Sequence, residues 1–429
     1  MTASAPPAPP QTVLPPLRGN RDFMTFWIGE TASLLGTQVT NLALPLTAVL
    51  ACHATDEQVG VLRSLQLLPY LGLALLFGVW ADRRRRRPLM LAANAARMVL
   101  LLLVPVLVWA HALTLPVLLA VACGVGTASV LFDVSWMSYV PTLVGDRRHY
   151  VEASAKMSVS SSAAEVAGPG LAGVLIGALT APVALLADAF SYTFSLISLL
   201  LIRTREPMPQ PAADERHLWR ELREGVAYVC GHPVLRPLAL VAPLCNFSLV
   251  GVWTLFLLHG TRDLHLNPAA LGTILAGASV GGLVGGALSR RAIAQFGPGT
   301  VYAVSMSAVF AGPLVAAFAH GPRPVVIALC TSSFFLSYLG LGVAGVLMVA
   351  VRQTCTPTAM MGRMTACFRT ALFGGGCLGG LSAGLLAGRI GSGSALMWTA
   401  AGSAAAAGAV LCSPVSRLRV MPSPVANGD

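Results

Sequence analysis

Four polar residues in the first apolar stretch of the chain, Glu30, Ser33, Thr37 and Asn41, follow one another at i, i+3, i+7 and i+11. That is the repeat of one helical face. Three later apolar stretches carry similar groups: Arg63 with Gln66, then Ser129, Asp133 and Trp136, then Ser158, Ser161, Ser162 and Glu165. A charge near the centre of a bilayer costs a few kcal/mol unless it meets water or a partner. Side chains of these types suit reversible proton binding and the lining of a wet chamber, not covalent chemistry. No zinc spacing, nucleophile elbow or phosphate-binding G-x-x-x-x-G-K-[ST] loop occurs, so no catalytic residue, metal or bound cofactor is expected.

Counting depth at about 1.5 Å per residue, Glu30, Arg97 and Asp133 fall in one half of the membrane. Glu165 falls near its middle and Arg63 toward the other face. Arg97 and Asp133 are expected to pair between adjacent antiparallel spans, and Asp188 is read as structural. Glu165 either cycles a proton or is held by the neighbouring serines.

The elements that position these groups are long and apolar. Of 429 residues, 55% are hydrophobic and 10% charged, where a soluble domain carries about a quarter charged residues. Spans long enough to cross a hydrocarbon core of about 30 Å are drawn at 23–51, 57–80, 88–110, 114–141, 152–180 and 182–202. They resume at 235–259, 268–289, 299–319, 323–351, 364–388 and 394–413. Only helices fit, because open sheets leave backbone groups unpaired in lipid. The domain plan is a disordered tail (1–20), a six-helix bundle (21–203), a linker with an amphipathic helix (204–232), a second bundle (233–414) and a tail (415–429). In the linker, Leu218, Leu222 and Val226 form the apolar face. The fold class expected is an all-α membrane protein with twelve transmembrane helices in two pseudo-symmetric bundles.

Sorting the arginines by gap places 20 on one side of these spans and three (Arg262, Arg323 and Arg389) on the other. Both termini are therefore expected in the cytoplasm. The net charge of +11 is explained by this clustering, so no nucleic-acid partner is expected. No cleavable signal peptide is read in the first twenty residues, and the first span would serve for targeting. The nine cysteines lack a C-x-x-C pair and read as small buried hydrophobes. Lys156 is the only lysine, a bias that suggests a GC-rich bacterial genome and a bacterial cytoplasmic membrane.

Between spans two and three lies Gly78-Val79-Trp80-Ala81-Asp82-Arg83-Arg84-Arg85-Arg86-Arg87. This loop resembles the G-x-x-x-D-R/K-x-G-R/K-R/K signature of the major facilitator superfamily, with Gly78, Asp82, Arg83, Arg86 and Arg87 matching and Arg85 in place of a glycine. The resemblance implies a latch between the two halves, with Asp82 near Arg363 or Arg369. In span five, Gly168, Pro169 and Gly173 resemble the G-P-x-x-G-G element of members that export by antiport. Phe26 to Gly36 and Phe132 to Trp136 resemble the enterobactin-exporter and macrolide-efflux branch, where glutamine is more usual at the position of Glu30.

The resemblance implies a monomeric carrier that exports a small amphipathic molecule in exchange for protons. The proton gradient is its energy source, and Glu30, Thr37, Asn41, Arg63, Gln66, Asp133, Trp136 and Glu165 line its cavity. Proton-coupled import, or a ligand sensor or scaffold without transport, are the alternatives. Glycines every fourth residue (Gly376, Gly380, Gly384 and Gly388), with Gly281 and Gly285, are expected where helices approach closely. Spans five, eight and eleven would form the seam.

Overall fold

The structure, a computed structural model, describes residues 17–144, 147–204, 206, 218–357 and 360–418. The expected disorder of the first tail and the linker prolines lie outside these residues, apart from the stretch 17–20. There a single 3-10 turn, Leu17–Gly19, leads into the first helix, with Leu17 buried.

The first half holds α1 (Arg21–Leu50), α2 (Asp56–Arg83), α3 (Arg86–Trp109), α4 (Leu115–Val144), α5 (Arg147–Leu179) and α6 (Ala181–Leu201). After the linker helix α7 (Leu218–Gly231) come α8 (Leu235–Arg262), α9 (Pro268–Phe296), α10 (Pro298–Ala311), α11 (Pro313–Ala317), α12 (Arg323–Thr354), α13 (Met361–Ile390) and α14 (Ser392–Leu411). Eleven spans, with α10 and α11 counted together, are long and apolar enough to cross a membrane. The twelfth, α2, is 28 residues long and packs between α4 and α13.

Local sequence fixes the ends. Asn20 caps α1 by accepting from the Phe23 amide, and Asn267 caps α9 by accepting from the Ala270 amide. Thr55 and Gln58 form a reciprocal capping box at α2, each satisfying an amide that the helix start leaves unpaired. Span nine, expected to be continuous, breaks between α10 and α11 at Gly312-Pro313. Proline has no N–H to continue the ladder; the Gly312 carbonyl at the break accepts from the Val315 amide and from the Ser333 hydroxyl, at 3.1 and 2.7 Å.

Inside each half the pairings repeat. The contacts of α1 with α5 and α6, of α2 with α4 and of α3 with α6 recur as α8 with α13 and α14, α9 with α12 and α10 with α14. The turn before α6 (Thr180, φ 98, ψ 156) has nearly the conformation of the turn before α14 (Gly391, φ 81, ψ 154). Many large apolar side chains face outward, among them Val99, Phe190, Leu200, Leu240 and Trp398. In water this belt would be a liability; against acyl chains it is the expected surface.

The starts of α1 and α3 lie at one end of the bundle, with α7 (the terminal end); the starts of α2 and α9 lie at the other (the far end). At the far end one apolar core takes residues from both halves, including Leu46, Val59, Ile176, Leu258, Leu271 and Ala387. Toward the terminal end the halves keep separate cores, one around Phe23, Phe132 and Tyr139, the other around Tyr302, Phe310 and Phe368.

Linker helix α7 docks on α13, and of the apolar face read from its spacing only the Val226 side chain is described, at 41% exposed. The side chains of Leu218 and Leu222 lie outside the described residues. Gly225 and Val229 turn inward: a Cβ on Gly225 would lie 2.9 Å from the Arg363 carbonyl oxygen, so only glycine permits this approach.

Candidate functional site

A cavity of 760 Å³ lies between the halves. From the first half, α1 presents Thr37, Gln38, Thr40 and Asn41, α2 presents Arg63, Gln66 and Tyr70, and α5 presents Ser162, Glu165 and Pro169. The second half contributes mainly apolar and aromatic surface: Val250, Trp253, Leu275, Leu283, Tyr338, Leu341 and Phe373. Polar groups thus face a greasy wall, the lining that suits an amphipathic guest.

Thr37, Asn41, Arg63, Gln66 and Glu165 of the sequence-read set all reach this wall. Glu165 accepts from the Ser161 hydroxyl at 3.4 Å. Arg63 donates through Nη1 to Gln66 at 3.1 Å. Glu30, Asp133 and Trp136 lie behind or below the wall. Trp136 packs on the terminal-end core of the first half. Glu30 is buried and its Oε2 has no hydrogen-bond partner.

The expected Arg97–Asp133 ion pair does not form, because each group has a nearer partner. Asp133 accepts from the Tyr70 hydroxyl at 2.8 Å. Arg97 donates to Asn94, and its guanidinium sits 4.4 Å from the Phe132 ring centroid and 4.5 Å from that of Tyr192. Stacking of this kind stabilises a guanidinium away from water.

Three residues at or just behind the cavity were not in the cavity set read from the sequence. Tyr70 links Asp133 to the cavity and stacks on Phe373 of the other half, with ring centroids 4.2 Å apart. Its spacing from Arg63 and Gln66 (i, i+3, i+7) was the available signal. Asp188, read as structural, is fully buried behind the wall, accepting from the hydroxyls of Thr40 and Ser191. Tyr192 lines the cavity one turn further along α6. Ser191, Ser195 and Ser198 are buried with Asp188, a polar stripe on α6 that marks this face.

The far end is closed by direct packing of α2 on α13 and of α5 on α9. A Cβ on Gly60 would lie 2.7 Å from the Gly384 Cα, and one on Gly173 would lie 2.9 Å from the Gly272 Cα. Gly173 of the antiporter-like element therefore serves this contact, while Pro169 lines the cavity and Gly168 abuts Gln38. Along α13, Gly376, Gly380, Gly384 and Gly388 all face α2 or its neighbours.

Arg262 of α8 adds an ion pair across the halves, 2.6 Å from Asp56 of α2, and also donates to the Ala54 carbonyl. Beside it, Asp263 accepts from Ser392 and His259. Burial works to raise its pKa, but these hydrogen bonds outweigh it and hold the carboxyl below the usual carboxylate range. Asp263 therefore stays charged as pH falls through the mildly acidic range.

We expect Arg262→Ala to weaken this clasp by about 1 kcal/mol, as for a partly exposed pair, a shift of about fivefold in the closed-to-open ratio. In a cysteine-free background with Gln66→Cys, an impermeant maleimide applied from the far side should label about fivefold faster. An unchanged rate would show that the pair does not hold the gate.

At the terminal end, Gly78 meets only Val134, 4.0 Å from an added Cβ. The Asp82 side chain, and so its expected contact with Arg363 or Arg369, lies outside the described residues. Arg83 is exposed. The amides of Arg86 and Arg87 donate to Glu206 at 2.8 and 3.2 Å, and Arg87 Nη2 donates to the Leu200 carbonyl. Glu206 thus caps α3, an anion at a helix N-terminus, and ties these two arginines to their own half. Arg363 pairs with Glu224 of α7 at 2.7 Å.

Two repeated six-helix units around one shared chamber define a multi-pass membrane transporter. The sequence profile of the Major Facilitator Superfamily matches residues 26–380, and the chain belongs to that superfamily. It is 26% identical over 388 residues to the enterobactin exporter EntS of Citrobacter koseri, covering 86% of each chain. It is 25% identical over 389 residues to the uncharacterized MFS-type transporter YfiS of Bacillus subtilis, covering 88% of this chain and 89% of that one. Among solved structures, the nucleoside transporter NupG superposes with a TM-score of 0.74 at 11% identity, over 91% of this chain and 98% of that one. A bacterial homologue of the iron transporter ferroportin, in an inward-facing state, gives 0.70 at 16% identity over 92% and 98%.

Proposed function

We propose that this protein exports a small amphipathic organic molecule from a bacterial cell by proton antiport, through alternating access of the cavity. Both termini lie in the cytoplasm, which makes the far end the outer face and the conformation described inward-facing. The carrier works as a monomer in the cytoplasmic membrane, without a cofactor, and takes its energy from the proton gradient.

The observation that carries this reading is the grouping of acids about the cavity. Glu165 stands in the wall, and Glu30, Asp133 and Asp188 lie buried behind it within electrostatic reach of Arg97. One guanidinium balances one carboxylate, so protons bound at this group relieve charge that lipid-embedded protein tolerates poorly. Tyr70 and Thr40 connect Asp133 and Asp188 to the cavity. Proton occupancy can therefore bias the packing of the halves, provided the two states bind the proton with different affinity. The similarity to an enterobactin exporter favours the outward direction, as does the Gly168-Pro169 element in α5.

Purified protein in vesicles should accumulate its substrate against an outwardly directed proton flow. A step of one pH unit is worth about 1.4 kcal/mol, so one proton per molecule gives about a tenfold gradient. A panel of aromatic dyes of each charge serves as the first screen. Accumulation insensitive to a protonophore would reject proton coupling. Movement of substrate in the same direction as protons would reverse the assignment to import, and saturable binding without movement would leave a sensor.

A further inference from the structure

Arg63 projects from α2 into the wall of the cavity, and nothing beside it balances its charge. Among the described residues no carboxylate lies within ion-pair distance of it. Nη1 donates to the neutral amide of Gln66, and Nε is buried with no hydrogen-bond partner. Other arginines among the described residues have a charge or ring partner: Arg97 lies between two rings, Arg262 pairs with Asp56 and Arg86 with Glu206. A guanidinium costs several kcal/mol to remove from water without an anion, so a cavity cation kept unpaired marks the place where an anion binds. Its planar fork matches a carboxylate or a related oxyanion in two-point contact.

The surfaces around it describe the rest of the guest. Tyr70 is stacked on Phe373, and Trp253 stands in the same cavity from the other half. Their faces suit a flat aromatic body. Glu165, the acid of this wall, belongs to α5 and is held by Ser161. Tyr338 is within electrostatic reach of both Arg63 and Glu165, so the two charges flank a common space without closing on one another.

We propose that the substrate is an aromatic molecule carrying an anionic group, and that Arg63 is the residue that selects for the anion. The inference rests on the cavity being the transport site. It goes beyond that reading by fixing the charge of the cargo.

Three matched probes test it on the full-length protein in detergent: 2-naphthoate, its neutral primary amide, and 2-naphthylmethylammonium. Binding is followed by quenching of tryptophan fluorescence. The wild type should bind the anion at least about tenfold more tightly than the amide, and the cation most weakly. In Arg63→Gln the anion should fall to the affinity of the amide while amide binding changes less than about twofold. Arg63→Lys should restore part of the preference, and an unfolding midpoint close to wild type shows that Arg63→Gln is folded. Equal affinity for anion and amide in the wild type, or a preference that survives Arg63→Gln, overturns the inference and leaves the cavity assignment standing. If all three probes bind but a bulky maleimide on Gln66→Cys displaces none of them, the cavity assignment itself falls, and this inference with it.

Discussion

Gly384→Leu should leave the carrier unable to close its far end and lower transport by about a hundredfold. A Cβ at this position would lie 2.7 Å from both the Gly60 Cα and the Asp56 carbonyl oxygen. Both are backbone atoms and cannot swing aside, so the helices must part. Overpacking of this kind costs about 1–3 kcal/mol, and here the cost falls only on the closed state. Gly272→Leu should behave alike, since the α5–α9 contact at Gly173 is built the same way. Gly72→Leu on α2 is the control, because a Cβ there meets nothing within 4 Å. Far-side maleimide labelling of Gln66→Cys should become fast in the first two variants and stay slow in the third. If Gly384→Leu transports normally, the close glycine contact is packing with no part in gating.

The same contacts join the halves at the far end, where they share one core. Halves that share a core at the far end and keep separate cores at the terminal end can exchange which end is joined, without repacking either half internally. That is the behaviour expected of repeats that rock about a site between them. The pairing of α2 with α13 and of α5 with α9 is reciprocal under the internal repeat, and each pair crosses the interface. A tilt that opens one pair opens the other.

Much of this architecture was legible in the chain, because lipid imposes a simple rule. Each span must be helical, apolar and about 20 residues long, so the number and rough positions of the spanning helices follow the hydropathy, while the break between α10 and α11 does not. Helix faces were legible too: Thr37 and Asn41 share a face, as do Arg63 and Gln66, and all four reach the cavity. Pairings between faces were not. Opposite charge and plausible depth suggested Arg97 with Asp133, but depth says nothing about rotation around the helix axis. Asp133 points to Tyr70 on α2, and Arg97 to Phe132 and Tyr192. An aromatic sandwich has no signature in linear sequence.

The partners of Asp188 were hidden for a related reason. An acid near a span end is ordinarily structural, and only the burial of Ser191, Ser195 and Ser198 beside it shows which way its face turns. The resemblance named the arginine loop as a latch, and it carries no information on state. Arg86 and Arg87 hold Glu206 and Leu200 in their own half.

Arg97→Met should be the most damaging single substitution in the first half. It removes the cation that acts on Glu30, Asp133 and Asp188 together. Removing one partner from a buried charge group costs about 3–5 kcal/mol; at about 2–4 °C per kcal/mol for a unit of this size, the unfolding midpoint should drop by about 10 °C. Proton-driven transport should be lost with it. Lysine should not substitute, because a compact ammonium cannot fill the flat slot between Phe132 and Tyr192. Charge balance can be separated from packing by a second change. If the acids repel one another once the guanidinium is gone, Arg97→Met with Asp133→Asn should regain a few degrees over Arg97→Met alone. A double variant no more stable than the single one would mean that Arg97 acts through its ring contacts only, and the buried acids would then have no charge coupling for a proton to exploit.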